Sequence, residues 1–194
     1  MDRPMASDEE LMAAYVGGDE NALRELWDRY SGPLLRVARR HLPSEDDARD
    51  LVQQTFLQVH RARRDFKTDG RFRPWLFTIA LNLRREHYRR RARHPEAPLE
   101  FEPGKEPQTA AFDPTAGDTR DRVRRAIAAL PAGQREVIEL HWFEGFSFPE
   151  IAGMVGAQVN AVKVRAHRGY NALRQALAAF DRNRPAPSGI SRKE

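Results

Sequence analysis

The stretch from Ser147 to Arg168 constrains the fold of this chain more than any other part of the sequence. It predicts two short helices joined by a tight turn. Ser147 with Glu150 three residues later is typical of a capping box at a helix start, and Pro149 suits the first turn. Gly156 supplies a residue that can adopt the left-handed conformation with which helices often end. A second helix is expected to begin about three residues later.

The outward face of this second helix combines amide, ammonium, imidazole and guanidinium groups. At about 100° per residue, the face is formed by Asn160, Lys163, Val164 and His167, with Ala161 and Arg168 at its edge. A polar helix of this kind, preceded by a shorter one, is the arrangement with which a helix-turn-helix enters the major groove of DNA. A helical hairpin with a solvated basic face is the alternative. The capping box, the glycine turn and the split in polarity favour DNA binding.

Composition excludes several classes of protein. The chain has 194 residues, no cysteine and a net charge of +5, so it has no disulfide and no thiolate metal site. No apolar run approaches the ~20 residues that span a bilayer, and the N-terminus lacks the core of a signal peptide. Six histidines without ligand spacing and the lack of a glycine-rich phosphate loop give little support to an enzyme. We expect a cytoplasmic protein with no membrane insertion, cofactor, metal or catalytic residue.

The first half of the chain, from Ser7 to about Arg93, predicts five helices. Each boundary has a cap or a break of a familiar kind, either a polar residue that accepts from free N–H groups or glycine and proline. These boundaries are Ser7 with Glu10, Gly17–Gly18, Asp19, Ser31–Pro33 and Ser44. The fifth helix is expected from about Pro74.

The fourth predicted helix carries a stripe of acidic and amide side chains. Its members are Asp46, Asp47, Asp50, Gln53 and Gln54. A solvated surface is the usual explanation of such a stripe, and a binding site for a partner is the alternative.

The fifth predicted helix ends in a dense basic run from Leu83 to Arg93. The run has six arginines against one glutamate, namely Arg84, Arg85, Arg89, Arg90, Arg91 and Arg93 against Glu86. Such a density of like charge repels itself unless an anion neutralises it, and His87 and Tyr88 add flat rings among the guanidinium groups. Basic and aromatic side chains together favour nucleic-acid strands.

The composition changes after Arg93. Residues 94–119 hold six acidic residues and one lysine with little apolar periodicity, which predicts a flexible acidic linker. Helices resume near Asp121, break at Pro131 and resume over Glu136–Trp142. Residues 181–194 are polar and are expected to fray. The sequence therefore predicts an all-α protein with helical domains at 7–93 and 120–180, a linker at 94–119 and a disordered tail at 181–194.

Two runs of sequence give this organisation a family resemblance. The run LPAGQREVIELHWFEGFSFPEIAGMVGAQVNAVKVRAHRGYNAL resembles the promoter-binding C-terminal domain of bacterial sigma factors. DDARDLVQQTFLQVH, FRPWLFTIALNL and the following arginines resemble their promoter-melting N-terminal domain. Two domains with a linker and no middle domain match the extracytoplasmic-function (ECF) group of the sigma-70 family.

The resemblance implies roles for the matching positions. The helix from Asn160 would read the −35 element, and Arg165 on it is a further expected DNA contact. The −10 element would be bound by Phe66, Arg71, Trp75, Asn82, Arg85 and Arg89, with Phe66 and Asn82 lining a pocket for a flipped base. The helix with Asp46, Asp47, Asp50, Gln53 and Gln54 would bind the β′ coiled coil of core RNA polymerase.

Further expected partners are the polymerase β subunit, promoter DNA and, left open by the sequence, an anti-sigma factor. The linker would pass into the active-site and RNA-exit channels of the polymerase. Gln54 stands where the family commonly has glutamate, and Ala161 and Val164 replace its usual threonine and serine. Val164 therefore suits a thymine methyl group rather than a phosphate.

A stand-alone helix-turn-helix regulator is the alternative function. Such a regulator needs a sensor or dimerisation domain in its first half. The acidic stripe and the arginine run favour a polymerase-binding first half instead.

Overall fold

A computed structural model describes residues 6–67, 70–93 and 119–182 of the chain, and these ranges contain helices and no strand. The predicted all-α class is confirmed. The predicted linker and tail lie outside the described residues, apart from the helix ends at Thr119 and at 181–182.

Within residues 6–67 and 70–93, the N-terminal unit contains the helices α1 (Asp8–Val16), α2 (Glu20–His41), α3 (Glu45–Arg61) and α4 (Phe72–Arg93). Helix α1 packs on α2 and α4, α2 packs on α3, and α3 packs on α4. The predicted caps at Ser7, Asp19 and Ser44 are confirmed, since each side chain accepts from a backbone N–H in the first turn of the next helix.

Helix α2 runs unbroken through Ser31–Pro33, so the predicted break there is wrong, and the described residues of this unit form four helices rather than five. A proline inside a helix costs about 3 kcal/mol, since it removes one hydrogen bond and crowds the preceding turn. Leu26, Tyr30, Leu34 and Ala38 are buried along one stripe that crosses Pro33. Each large side chain gains roughly 1.5–3 kcal/mol from burial, so the packing of one continuous helix outweighs the cost of the proline.

The C-terminal unit consists of α5 (Thr119–Ala128), α6 (Ala132–Trp142), α7 (Phe148–Val155) and α8 (Val159–Arg182). Helices α5 and α6 pack on α8, and α7 is joined to α6 by the stacked rings of His141 and Phe148, 4.4 Å apart. Helix α6 begins at Ala132 rather than near Glu136, because Pro131 serves as its N-cap and its carbonyl accepts from the N–H groups of Gln134 and Arg135. The predicted helix-turn-helix is confirmed as α7, a turn and α8.

Candidate nucleic-acid and polymerase interface

The turn between α7 and α8 has the geometry that the sequence predicts. Gly156 has φ of 66°, a value that favours glycine. At the start of α7, the Ser147 N–H donates to Oε2 of Glu150 over 2.8 Å, and the Glu150 N–H donates back to Oγ of Ser147 over 3.4 Å. Val162 and Ala166 are buried on the inner side of α8. The caps and the buried stripe together fix which side of α8 faces outward.

The outward side of α8 exposes six of the seven residues predicted to bind the −35 element. These are Asn160, Ala161, Lys163, Val164, His167 and Arg168. Val164 is 48% exposed and is the apolar member of this set with a large side chain. The seventh residue, Arg165, is half-buried and lies beside α6, where a Cβ added at Gly133 would be 3.8 Å from its Cδ and Nε atoms.

Two residues that the sequence reasoning missed orient His167. Arg174 donates from Nη2 to Oδ1 of Asn171 over 3.2 Å, and Nδ2 of Asn171 lies 3.0 Å from Nε2 of His167. Arginine can only donate, so the amide oxygen of Asn171 faces Arg174 and its NH₂ group faces His167. The NH₂ group of Asn171 therefore contacts Nε2 of His167 and leaves Nδ1 facing away from this pair. The spacing of four and seven residues from His167 was the available signal for these partners.

Three aromatic rings meet where α3 leads into α4. The ring centroids of Phe66 and Trp75 are 5.1 Å apart, and Phe72 lies 6.1 Å from both. Phe72 is buried, whereas Phe66 and Trp75 are half-buried. The Phe72 N–H donates to Oε1 of Glu9 over 2.9 Å, which ties the start of α4 to α1. Two predicted −10 residues, Phe66 and Trp75, are thus brought together beside the buried Phe72.

A groove of about 630 Å³ lies further along α4. It is lined by Asn82, Arg85 and Arg89 together with Gln58 of α3. Asn82 follows Trp75 by seven residues, which is two helical turns or about 10 Å on the same face. Phe66 contacts Trp75, and Asn82 lies two turns further along the same face of α4. The two predicted pocket residues, Phe66 and Asn82, therefore lie at neighbouring places along this face. Arg71 is exposed just before α4 begins.

The predicted arginine run divides into an inner and an outer set. Arg84 is only 9% exposed and lies on the inner side of α4, apart from the exposed arginines of the run. Tyr88 packs against the cluster that contains Ala38 and Leu42, and its hydroxyl donates to the His41 carbonyl. These positions fall on the side of α4 that faces α2 and α3. The solvent side keeps Arg89, Arg90, Arg91 and Arg93 exposed and Arg85 half-buried.

The acidic-amide stripe on α3 is also divided. Asp46, Asp50 and Gln53 are exposed, and Gln54 donates from Nε2 to Oδ2 of Asp50 over 2.8 Å. Asp47 is half-buried and turned aside, because its N–H and Oδ2 both bind the Ser44 hydroxyl.

Two neighbours of this stripe complete its surface. The sequence reasoning missed Leu57, which continues the stripe at i+4 from Gln53 and is 48% exposed. At the other end, hydrogen bonds from Arg39 hold the pKa of the Glu45 carboxyl below its usual value, with 2.7 Å between Nε of Arg39 and Oε2 of Glu45. The outer surface of α3 is therefore acidic with one exposed apolar side chain.

Within residues 6–67, 70–93 and 119–182, no group of histidine and carboxylate side chains is arranged to hold a metal ion. Over the same part of the chain, no helix has the length and hydropathy needed to cross a membrane.

Comparison with known proteins decides the family. The model of sigma-70 region 2 matches residues 26–94, and that of sigma-70 region 4 matches residues 120–173. The sequence is 34% identical to the RNA polymerase sigma factor CarQ of Myxococcus xanthus. This match covers 88% of the chain and 97% of CarQ. The chain belongs to the sigma-70 family.

Relatives at similar distance place it in the ECF group. The ECF RNA polymerase sigma factor SigM of Mycobacterium tuberculosis is 34% identical over 88% of this chain and 85% of its own length. This sigma factor therefore binds core RNA polymerase and directs promoter recognition, DNA melting and the initiation of transcription. The alternative of a stand-alone regulator is not favoured.

Two solved structures resemble this fold over most of the chain. CnrH in complex with the cytosolic domain of CnrY has a TM-score of 0.67 at 32% identity, covering 90% of this chain and 99% of that one. The sigma factor RpoE of Bartonella quintana, solved with the anti-sigma factor NepR, has a TM-score of 0.64 at 25% identity. This match covers 80% of this chain and 96% of that one.

Proposed function

We propose that this sigma factor divides its work between two helical domains, at residues 7–93 and 120–180, joined by a linker at 94–119 and followed by a tail at 181–194. The first domain binds core polymerase and the melted −10 element, and the second reads the −35 element. The observation that carries the proposal is that α3 and α4 present opposite chemistries. The exposed stripe of α3 is acidic, whereas the solvent side of α4 is rich in arginine.

At the −35 element, α8 enters the major groove with its outward side. Val164 packs on a thymine methyl group, and Lys163 and Arg168 neutralise phosphates or donate to guanine. His167 contacts a base or phosphate through Nδ1, since Asn171 contacts its other nitrogen. Asn160 and Ala161 line the entrance to the groove, and Arg165 contacts the backbone from the side of α6.

At the −10 element, an unpaired base lies against Phe66 and Trp75. Extruding a base costs a few kcal/mol, and stacking on an aromatic ring returns about 1–3 kcal/mol per base. Asn82, Arg85 and Arg89 follow on the same face and hold the adjoining nucleotides, with Arg71 at the start of the face. The groove beside Asn82 is lined by the polar side chain of Gln58 as well.

On core polymerase, Asp46, Asp50 and Gln53 bind the β′ coiled coil, with Gln54 and Asp47 at the edge of the contact. The exposed Leu57 adds an apolar side chain at one end of this acidic surface, and buried apolar contacts contribute much of the affinity of interfaces. The C-terminal domain contacts the β subunit. The chain acts in the cytoplasm and has no catalytic residues of its own, since the chemistry belongs to the polymerase.

An anti-sigma factor is a further proposed partner. The support is that CnrH was solved with CnrY and that the Bartonella sigma factor was solved with NepR.

The experiment is transcription of a genomic fragment library by purified core polymerase with and without this chain. We expect a defined set of start sites that depends on the chain, preceded by a shared pair of promoter elements. Stoichiometric recovery of the chain with core polymerase is expected in the same reaction. Binding to promoter DNA without recovery with core polymerase would instead support the stand-alone regulator.

A further inference from the structure

A second groove in the N-terminal unit has no part in the proposed function. It has a volume of about 680 Å³ and lies where α1, the start of α2 and the end of α3 meet. Its wall combines three aromatic side chains, Tyr15, Trp27 and Phe56, with a rim of basic residues. The turn at Gly17–Gly18 closes one end, and Gly18 has φ of 106°.

The aromatic side chains of the wall contact one another or a neighbouring histidine. The rings of Trp27 and Phe56 have centroids 4.7 Å apart, and the Tyr15 hydroxyl is hydrogen-bonded to Nδ1 of His60. Phe56 and Tyr15 are buried, whereas Trp27 is half-buried, so part of the indole ring faces the groove. The accessible part of the indole ring offers an aromatic face on which a planar ligand can stack.

The rim of the groove is positively charged. Arg24, Arg63 and Arg64 line it against a single acidic side chain, Glu20. Arg24 and Arg64 are exposed, and Arg63 donates from Nη1 to the His60 carbonyl over 2.7 Å. Guanidinium groups around an aromatic surface attract a ligand that is both planar and anionic, and unpaired nucleotides have both properties.

The groove also adjoins the proposed −10 site. Arg64 precedes Phe66 by two residues, and successive Cα atoms are 3.80 Å apart, so the two Cα atoms lie within about 8 Å. A strand that leaves the Phe66 ring can therefore continue towards Arg64 and the groove. Duplex DNA does not fit this chemistry, because its bases are already stacked on one another.

We propose that this groove is a second binding site for single-stranded DNA, in which an unpaired base lies against Trp27 and the neighbouring phosphates are neutralised by Arg24, Arg63 and Arg64. The proposal rests on the proposed function in one respect, since the melted promoter supplies the strand. An acidic peptide of a partner protein is the competing occupant, and the experiment separates the two.

The experiment uses holoenzyme made from core polymerase and the full chain, bound to a promoter with a preformed bubble. A photoreactive 5-iodouracil is placed at one position after another of the non-template strand, and cross-linked peptides are identified by mass spectrometry. We expect one set of positions to cross-link near Phe66 and Trp75 and another set to cross-link to Trp27 or Tyr15. Cross-links near Phe66 alone would overturn the second site and leave the proposed function intact. No cross-link to any part of the chain would contradict the proposed function itself.

Charge reversal at Arg24 provides the quantitative test. Arg24→Glu should lower the affinity of holoenzyme for the bubble template about 3- to 10-fold at moderate salt. It should also reduce the slope of log K against log salt by at least the ~0.7 expected for one single-strand phosphate contact.

Arg36→Glu is the matched control, because Arg36 is exposed on the same helix and lies 12 residues, or about 18 Å, further along it. We expect no change for the control and unchanged thermal unfolding for both variants. If Arg24→Glu weakened binding of core polymerase and left the salt slope unchanged, the groove would belong to a protein partner and the proposal would be wrong.

Discussion

The two helical units of this sigma factor build their candidate sites in different ways. In the C-terminal unit the proposed DNA-reading surface is one side of one helix, α8. In the N-terminal unit, the aromatic cluster of Phe66, Phe72 and Trp75 and the two grooves are assembled from α1, α2, α3 and α4. A surface on a single helix follows from residue spacing, whereas a surface made by several helices depends on how they pack.

This difference explains what the sequence predicted. Helical periodicity was sufficient to identify Lys163, Val164 and His167 as outward residues of α8. A run of arginines, by contrast, does not reveal that Arg84 faces α2 and α3 and is buried. The sequence prediction was wrong at Ser31–Pro33, where local propensity indicates a break and the buried stripe of α2 overrides it.

Packing between distant segments was the information that the sequence lacked. The pairing of Phe66 with Trp75 and of Tyr15 with His60 joins residues that have no common period. Leu57 was missed for the opposite reason, since an apolar residue on a helix is ordinarily assigned to the core.

The difference between the two units is tested most strongly at the aromatic cluster of the N-terminal unit. Phe66→Ala should reduce promoter opening about 10- to 100-fold, because a stacking contact of roughly 1–3 kcal/mol is lost, while binding to the duplex −35 element is unchanged. Permanganate reactivity of thymines in the bubble measures opening. Phe66→Tyr keeps the ring and is the control, and normal opening by the alanine variant would remove Phe66 from the site.

Arg84 and Arg85 test the division of the arginine run. Arg84→Ala should lower the free energy of unfolding of the N-terminal unit by about 2 kcal/mol, because it empties a buried position. Arg85→Ala, one residue further along α4, should change stability by less than about 0.5 kcal/mol and should weaken binding to single-stranded −10 DNA. Urea unfolding and DNA titration of both variants are the measurements, and equal stability of the two would contradict the burial of Arg84.

The acidic surface of α3 is expected to matter for polymerase and not for DNA. Asp50→Lys should lower affinity for core polymerase about 10-fold, because it reverses a charge at the proposed contact, measured by competition for a limiting amount of core enzyme. Asp28→Lys is the matched control, since Asp28 is exposed on α2. Equal effects of the two variants would show that net charge, rather than this surface, governs the binding.

The smallest expected effect concerns a single phosphate contact of α8. Arg168→Ala should weaken duplex binding a few-fold across sequences and reduce the salt slope by about 0.9. Arg124→Ala on α5 is the control, because Arg124 is exposed and paired with Asp121 over 3.2 Å. An unchanged slope for Arg168→Ala would exclude that arginine from the contact.

The central claim is that the two units act on separate parts of one promoter, and directed cleavage of DNA tests it most directly. The chain has no cysteine, so Arg91→Cys on α4 and Gln175→Cys on α8 each give a single attachment point for an iron–EDTA reagent. In holoenzyme on a promoter, we predict cleavage near the melted −10 segment from α4 and cleavage confined to the duplex −35 segment from α8. Cleavage of the same segment from both positions would contradict the account.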